Sequence, residues 1–180
     1  MANTERSTTT LLAEQDKQTD RDLIASLMGT VGATAHAYIN TSTNVAINTA
    51  NILTTAVGTL TASGYENDFT VSGNKITYNG TATRTVLVRY GANVGLTASG
   101  NSKVAIGIKK NTSIITASIR TSRLLTGTTV STIATVPLNG TTLVRLTSGD
   151  YIKFAVKNVT STQSMVLQSA ELTLMGTFAR

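Results

Sequence analysis

From residue 33 onward, apolar and polar positions alternate in short runs that end at Gly or Asn residues. The alternation is clearest in residues 85–90, 104–108 and 151–156, where every second position holds a large apolar side chain. A period of two puts successive side chains on opposite faces, which is typical of a β-strand with one buried face. Strands are predicted at 35–39, 46–53, 68–71, 75–78, 83–90, 103–109, 114–118, 129–136, 141–146, 151–156 and 165–175.

Short segments rich in Gly and Asn separate these predicted strands, and both residue types tolerate the backbone conformations of tight turns. Turns are predicted at Ser72-Gly73-Asn74, Asn79-Gly80, Ser99-Gly100-Asn101, Lys110-Asn111-Thr112, Asn139-Gly140 and Ser148-Gly149-Asp150. We expect Pro137 between two strands, because it lacks the N–H that a sheet ladder needs. About ten strands without an intervening helix predict an all-β fold, an antiparallel jelly-roll β-sandwich.

The N-terminal segment has a different pattern and predicts a short helical arm. Thr19 suits the N-cap, Asp22 follows at the capping-box position, and Gly29 ends the helix. The apolar residues of the arm are Leu11, Leu12, Leu23, Ile24, Leu27 and Met28. So short a helix must dock its apolar side on its own domain, a sister chain or another partner. The expected organisation is an anchoring arm at 1–30, a linker with the first strands at 31–64 and a jelly roll at 65–180.

Composition narrows the chemistry that this fold can carry. The 180 residues are 41% hydrophobic, 4% aromatic and 13% charged, and none is Cys. Without Cys the chain has neither a disulfide nor a thiolate metal site. The first thirty residues hold five acids and no apolar signal core, and no later apolar run could span a bilayer. We therefore expect neither a secretory signal nor membrane insertion.

Residues 144–152, VRLTSGDYI, resemble a hairpin late in the C1q/TNF-like jelly roll, in which Gly149-Asp150 turns the chain into a strand. Stretches at 68–80, 104–111 and 154–162 are similar to the aromatic-poor form of that module in tailed-phage fibres, knobs and decoration proteins. Asn111-Thr112 stands where the family usually has Asn-Gly, and the aromatic-rich signature of animal C1q domains is absent. The resemblance covers about residues 68–175.

The resemblance implies a homotrimer with loops exposed at one end, and a short helix before the jelly roll, as in phage virion proteins. The leading hypothesis is a virion structural protein of a tailed phage, made in the host cytoplasm and displayed on the outer virion surface. Residues 1–30 would bind a capsid or tail protein, as in a decoration protein or head fibre. The alternatives are a tail-fibre or receptor-binding tip that recognises host surface glycan, and a C1q/TNF-like soluble binding module.

Candidate catalytic groups are few, so we expect no enzyme and no cofactor. The predicted jelly roll holds four acids, and His36 is the single His of the chain. A catalytic triad would have to use His36, which lies in an apolar run and is better explained as a strand residue. Glu66 and Asp68 could offer oxygens to Ca²⁺, but one short acidic pair is more typical of a solvated loop. No metal site is therefore predicted.

The net charge of +6 is unevenly distributed, because residues 1–30 hold three basic residues against five acids. Nucleic-acid binding is the obvious hypothesis for a basic chain. The basic residues are scattered over many predicted strands, and no aromatic platform lies among them. We therefore expect no nucleic-acid partner, and favour electrostatic docking of a basic shell onto an acidic particle or cell surface.

Overall fold

The computed structural model describes residues 33–56, 58–64, 66–97, 101–125 and 135–176. These residues form thirteen strands and one 3-10 helix, η1 (Thr116–Ser118). The strands are β1 (Thr34–Ile39), β2 (Thr43–Val45), β3 (Thr54–Thr55), β4 (Thr61–Ala62), β5 (Phe69–Ser72), β6 (Lys75–Tyr78), β7 (Arg84–Leu96), β8 (Asn101–Lys110), β9 (Ser113–Ile114), β10 (Arg120–Leu125), β11 (Thr135–Leu146), β12 (Tyr151–Asn158) and β13 (Met165–Gly176).

Two antiparallel sheets pack face to face. Sheet I has the strand order β11-β7-β13-β1-β4, and β2 pairs with β13 beside this path. Sheet II has the order β10-β8-β12-β6-β5, with β3 paired to β12 and β9 paired to β8. The predicted all-β antiparallel sandwich is confirmed. The predicted helical arm, with Leu11, Leu12, Leu23, Ile24, Leu27 and Met28, lies outside the described residues.

The core lies between the inner faces of the two sheets, as the period of two requires. Along β12, Ile152, Phe154 and Val156 point inward and are at most 2% exposed, whereas Tyr151 and Lys153 lie on the outer side. The largest wholly buried side chains include Tyr78 and Tyr90 as well as aliphatic residues from both sheets. The burial of these side chains stabilises the sandwich, and the chain has no Cys for a disulfide.

Each buried tyrosine reaches across a glycine to a backbone carbonyl. Tyr90 of β7 lies opposite Gly140 of β11, and its hydroxyl donates to the Ser118 carbonyl. A Cβ on Gly140 would lie 2.6 Å from Tyr90 Cζ, so only glycine fits there. The Asn139-Gly140 pair was predicted as a turn, and this is wrong: β11 runs straight through it. Gly140 serves the packing of the tyrosine instead.

Three further sequence predictions about strands are wrong. Residues 46–53 contain no strand, because Asn51 takes a φ of 63° and its N–H bonds the Asn158 carbonyl at the rim of the sandwich. Residues 114–118 leave the ladder after β9 and form η1. Pro137 lies inside β11 rather than between strands, which is tolerated because β11 is an edge strand.

The edge strand β10 has no counterpart among the predicted strands, and one buried apolar residue, Leu124, marks it. Of the predicted strand at 129–136, residues 129–134 lie outside the described part of the chain.

Candidate functional site

The outer face of sheet I, called face I below, carries an apolar row across three strands. Leu143 of β11 lies opposite Leu87 of β7, and Leu87 lies opposite Met175 of β13. Leu143 is 62% exposed and Met175 is 41% exposed, although both are large apolar side chains. Because the three residues are direct cross-strand neighbours, they form one continuous apolar patch on the surface.

The remainder of face I is mostly uncharged. In the next row, Arg89 lies between Thr141 and Thr173, and His36 of β1 completes it. Arg89, Arg145 and Glu171 are the charged residues at outward positions of β1, β7, β11 and β13. His36 is half-buried, and its ring centroid lies 6.2 Å from that of Tyr38.

Two hollows on face I flank the middle of the sheet. One of about 620 Å³ lies beside the apolar row and is lined in part by Arg89, Glu171 and Met175. The other, of about 420 Å³, is lined in part by Tyr38 and Pro137, and Glu171 borders both. An exposed apolar patch beside hollows and few charges is typical of a protein-binding surface rather than of a solvated face.

The outer face of sheet II, called face II, is strongly basic. Its outward positions hold Lys75, Lys103, Lys109, Arg123, Lys153 and Lys157. No Asp or Glu stands at a described outward position of β6, β8, β10 or β12. The basic residues are spread over many strands, as expected, but these six are brought to one face by the register of sheet II although they are distant in sequence.

The turn that enters β12 is held by the carboxylate of Asp150. Oδ2 accepts hydrogen bonds from the N–H of Thr147 at 2.8 Å and from its hydroxyl at 2.9 Å, and pairs with Lys110 Nζ at 2.8 Å. Oδ1 accepts a bond from Asn111 Nδ2 at 2.8 Å. Gly149 takes a φ of 85°, a left-handed conformation that glycine adopts without strain.

Burial by itself would raise the pKa of Asp150, but the hydrogen bonds from Lys110, Thr147 and Asn111 hold it well below its usual range. The carboxylate is therefore ionised at neutral pH. Its partners Thr147, Lys110 and Asn111 lie at the turn before β12, the end of β8 and the turn after β8, so Asp150 serves the fold. It is a structural anchor rather than a group that could bind a ligand.

Of Glu66 and Asp68, the pair considered for Ca²⁺, Glu66 is engaged by backbone groups of its own loop. Glu66 Oε1 accepts the N–H of Ser63 at 3.1 Å and that of Gly64 at 3.3 Å, closing its own loop. In the described part of the chain, no three His, Cys, Asp or Glu residues are grouped closely enough to hold a metal ion. In the same part, no helix has the length and apolar character needed to cross a membrane.

Among known proteins, only solved structures match this chain. No protein-family model matches the chain, and no curated protein does. Among solved structures, the Eiger TNF protein from S. frugiperda is 13% identical and covers 83% of this chain and 95% of its own, with a TM-score of 0.51. PRD1 vertex protein P5 is 14% identical over 82% of this chain and 98% of its own, with a TM-score of 0.49.

The globular domain of zebrafish complement 1qA protein is 8% identical over 79% of this chain and 96% of its own, with a TM-score of 0.43. At identities this low, the likeness to the Eiger structure shows the fold alone. The chain has the fold of a TNF-like jelly roll. The sequence resemblance is thus confirmed at the level of fold.

Proposed function

We propose that this chain is a non-enzymatic structural protein of a tailed-phage virion, a homotrimeric jelly-roll knob whose subunits meet through face I. Its role would be to assemble into the trimer and to expose binding surfaces on the virion. The single observation that carries the subunit contact is the apolar row of Leu143, Leu87 and Met175, which a monomer would leave in water.

The contrast between the two faces supports this choice of contact surface. Face I has an apolar patch, two hollows and few charges, so burying it requires little desolvation of ions. Face II would bring many like charges together in such a contact and is better left in solvent. The sequence resemblance to C1q/TNF-like phage modules supplies the homotrimer and the virion setting.

The proposed attachment runs through the arm at residues 1–30, which places the jelly roll on the outer surface of the capsid. Its support is the sequence pattern, an arm whose six apolar residues, four of them in a short capped helix, cannot form a core of their own. The capsid or tail protein that it meets would bury this apolar side.

The trimer is tested by placing a charge in the apolar row. We expect Leu143→Arg to convert the trimer to a monomer in mass photometry, because an interface would have to bury three unpaired guanidinium groups. Ile52→Arg is the matched control, since Ile52 is 54% exposed and lies away from face I, near β3. A wild-type protein that is monomeric at micromolar concentration would contradict the proposal.

The anchor is tested separately by removing residues 1–29. Both the oligomeric state and the binding to phage particles that lack this protein are then measured. We expect the truncated protein to stay trimeric and folded but to lose attachment. Attachment at full strength would instead place the capsid contact on the jelly roll, and unfolding would mean that the arm completes the domain.

A further inference from the structure

Three lysines form a straight row across face II, and they are called the lysine row below. Lys153 of β12 lies directly opposite Lys75 of β6 on one side and directly opposite Lys109 of β8 on the other. All three point outward, because the neighbouring residues Ile76, Ile108 and Ile152 are wholly buried in the core. Adjacent strands are about 4.8 Å apart, so the row spans about 10 Å.

This arrangement costs the folded protein free energy in the absence of a counter-charge. Like charges placed directly opposite each other across strands repel and destabilise the pairing. Among the described residues, none of the three lysines has a carboxylate at ion-pair distance, whereas the neighbouring Lys110 is neutralised by Asp150 at 2.8 Å. An external anion seated over the row would remove this repulsion.

Tyr151 adds a second feature, since two of the ammonium groups lie over its ring. Lys75 Nζ and Lys153 Nζ are each 5.1 Å from the ring centroid, within the range of a cation–π interaction. The ring therefore helps to fix two positive charges in place. Because both ammonium groups are directed at this ring, it is poorly suited to serve as a stacking platform for a nucleobase.

We propose that the lysine row binds a polysaccharide that carries tetrahedral anionic groups, sulfate or phosphate esters. A lysine ammonium is a compact charge with three rotatable donors that binds phosphate-type oxyanions as a point charge, and the row holds no arginine, whose planar fork would suit a carboxylate. A row of three charges recognises a chain of repeated anions rather than one ion. The lysine row lies on the sheet opposite face I, so this inference does not rest on trimer formation.

The experiment compares three polymers that share the dextran backbone and differ in the group attached to it. Binding of the full-length protein to dextran sulfate, carboxymethyl dextran and uncharged dextran is measured by biolayer interferometry at one low ionic strength. We expect binding to dextran sulfate, binding to carboxymethyl dextran weaker by about tenfold, and none to dextran. Raising the salt concentration should weaken binding to dextran sulfate, since the contact is electrostatic.

Two triple variants with the same change in net charge locate the contact. Removing the row with Lys75→Gln, Lys109→Gln and Lys153→Gln should weaken binding to dextran sulfate by about tenfold or more. The control removes the other basic cluster of face II with Lys103→Gln, Arg123→Gln and Lys157→Gln, and should change binding by less than about threefold. Circular dichroism of both variants checks that each is folded.

Equal losses in the two triple variants would overturn the proposal, because binding would then follow net charge and not the row. Tighter binding to single-stranded oligothymidylate than to dextran sulfate of matched charge would also overturn it, in favour of a nucleic-acid surface. Equal binding to dextran sulfate and carboxymethyl dextran would overturn the assigned tetrahedral chemistry. A misfolded row variant is replaced by Lys153→Gln alone, which removes the central charge and should weaken binding severalfold.

Discussion

At the scale of single residues, the carboxylate of Asp150 is held by several hydrogen bonds. Four hydrogen atoms from Thr147, Lys110 and Asn111 point at its two carboxylate oxygens, and the side chain is only 12% exposed. Lys110 is held in turn by the Arg145 carbonyl, 2.8 Å from its Nζ. The turn before β12, the turn after β8 and the end of β11 are therefore tied together at one point.

We predict that Asp150→Asn lowers the free energy of unfolding by about 1–3 kcal/mol at neutral pH, because an amide N–H₂ would face donors in place of an acceptor. The folded-state pKa of Asp150 is below its unfolded value, so its contribution is complete above about pH 4 and is lost as the pH falls. The difference in stability between the two proteins should therefore shrink in urea denaturation as the pH falls from about 4 towards 2. Asp68→Asn, at an exposed position, is the control. A difference that stays constant over this pH range would contradict the assignment.

At the scale of elements, β11 owes its length to the contact between Gly140 and Tyr90. We predict that Gly140→Ala destabilises the protein by about 1–3 kcal/mol, since the added methyl group overlaps the tyrosine ring and must displace a wholly buried side chain. Thermal denaturation measures the effect. Gly73→Ala does not serve as a control because its φ of 58° adds strain, so Thr141→Ala, at an exposed neighbouring position, is used. A Gly140→Ala protein as stable as wild type would show that β11 can shift away from Tyr90.

The strands that the sequence predicts well are those with their own alternation of large apolar residues. β6 and β12 have this pattern, and the predicted and observed elements coincide over most of their length. β7 has it too, but the strand continues to Leu96, well past the predicted end at Tyr90. The errors arise where a distant contact decides the local structure. Asn139-Gly140 has the composition of a turn, and only the position of Tyr90, about fifty residues earlier in the chain, explains its place inside a strand.

The candidate surfaces depend on cross-strand register, which the sequence alone does not give. Lys75, Lys109 and Lys153 each occupy an outward position of a predicted strand, and this much can be seen in the pattern. That β12 lies between β6 and β8 depends on the jelly-roll topology, as does the meeting of Leu87 with Leu143. The sequence pattern assigns these residues to strands but does not show which strands lie side by side.

At the scale of the whole molecule, the sandwich separates two kinds of surface on its two sides. Face I has an apolar row and three charged residues at outward positions, whereas face II holds six basic residues at outward positions of its strands. A trimer built through face I would direct the three copies of face II away from the axis on three sides. The two proposals are therefore compatible, because the contact between subunits leaves every lysine row accessible.

This geometry predicts that the trimer distinguishes long polyanions from short ones. Three rows on different sides cannot share a short oligosaccharide, but a flexible chain long enough to pass round the trimer can contact two or three of them, which raises its avidity by about 100-fold. We expect wild type to bind long dextran sulfate far more tightly than the Leu143→Arg monomer does, while both bind a short sulfated fragment equally per subunit in isothermal titration calorimetry. Ile52→Arg adds the same charge but keeps the trimer, so it should bind long dextran sulfate at least as tightly as wild type does. If the monomer matches the trimer on long chains, the rows act singly, and face II is then not arranged around the trimer as proposed.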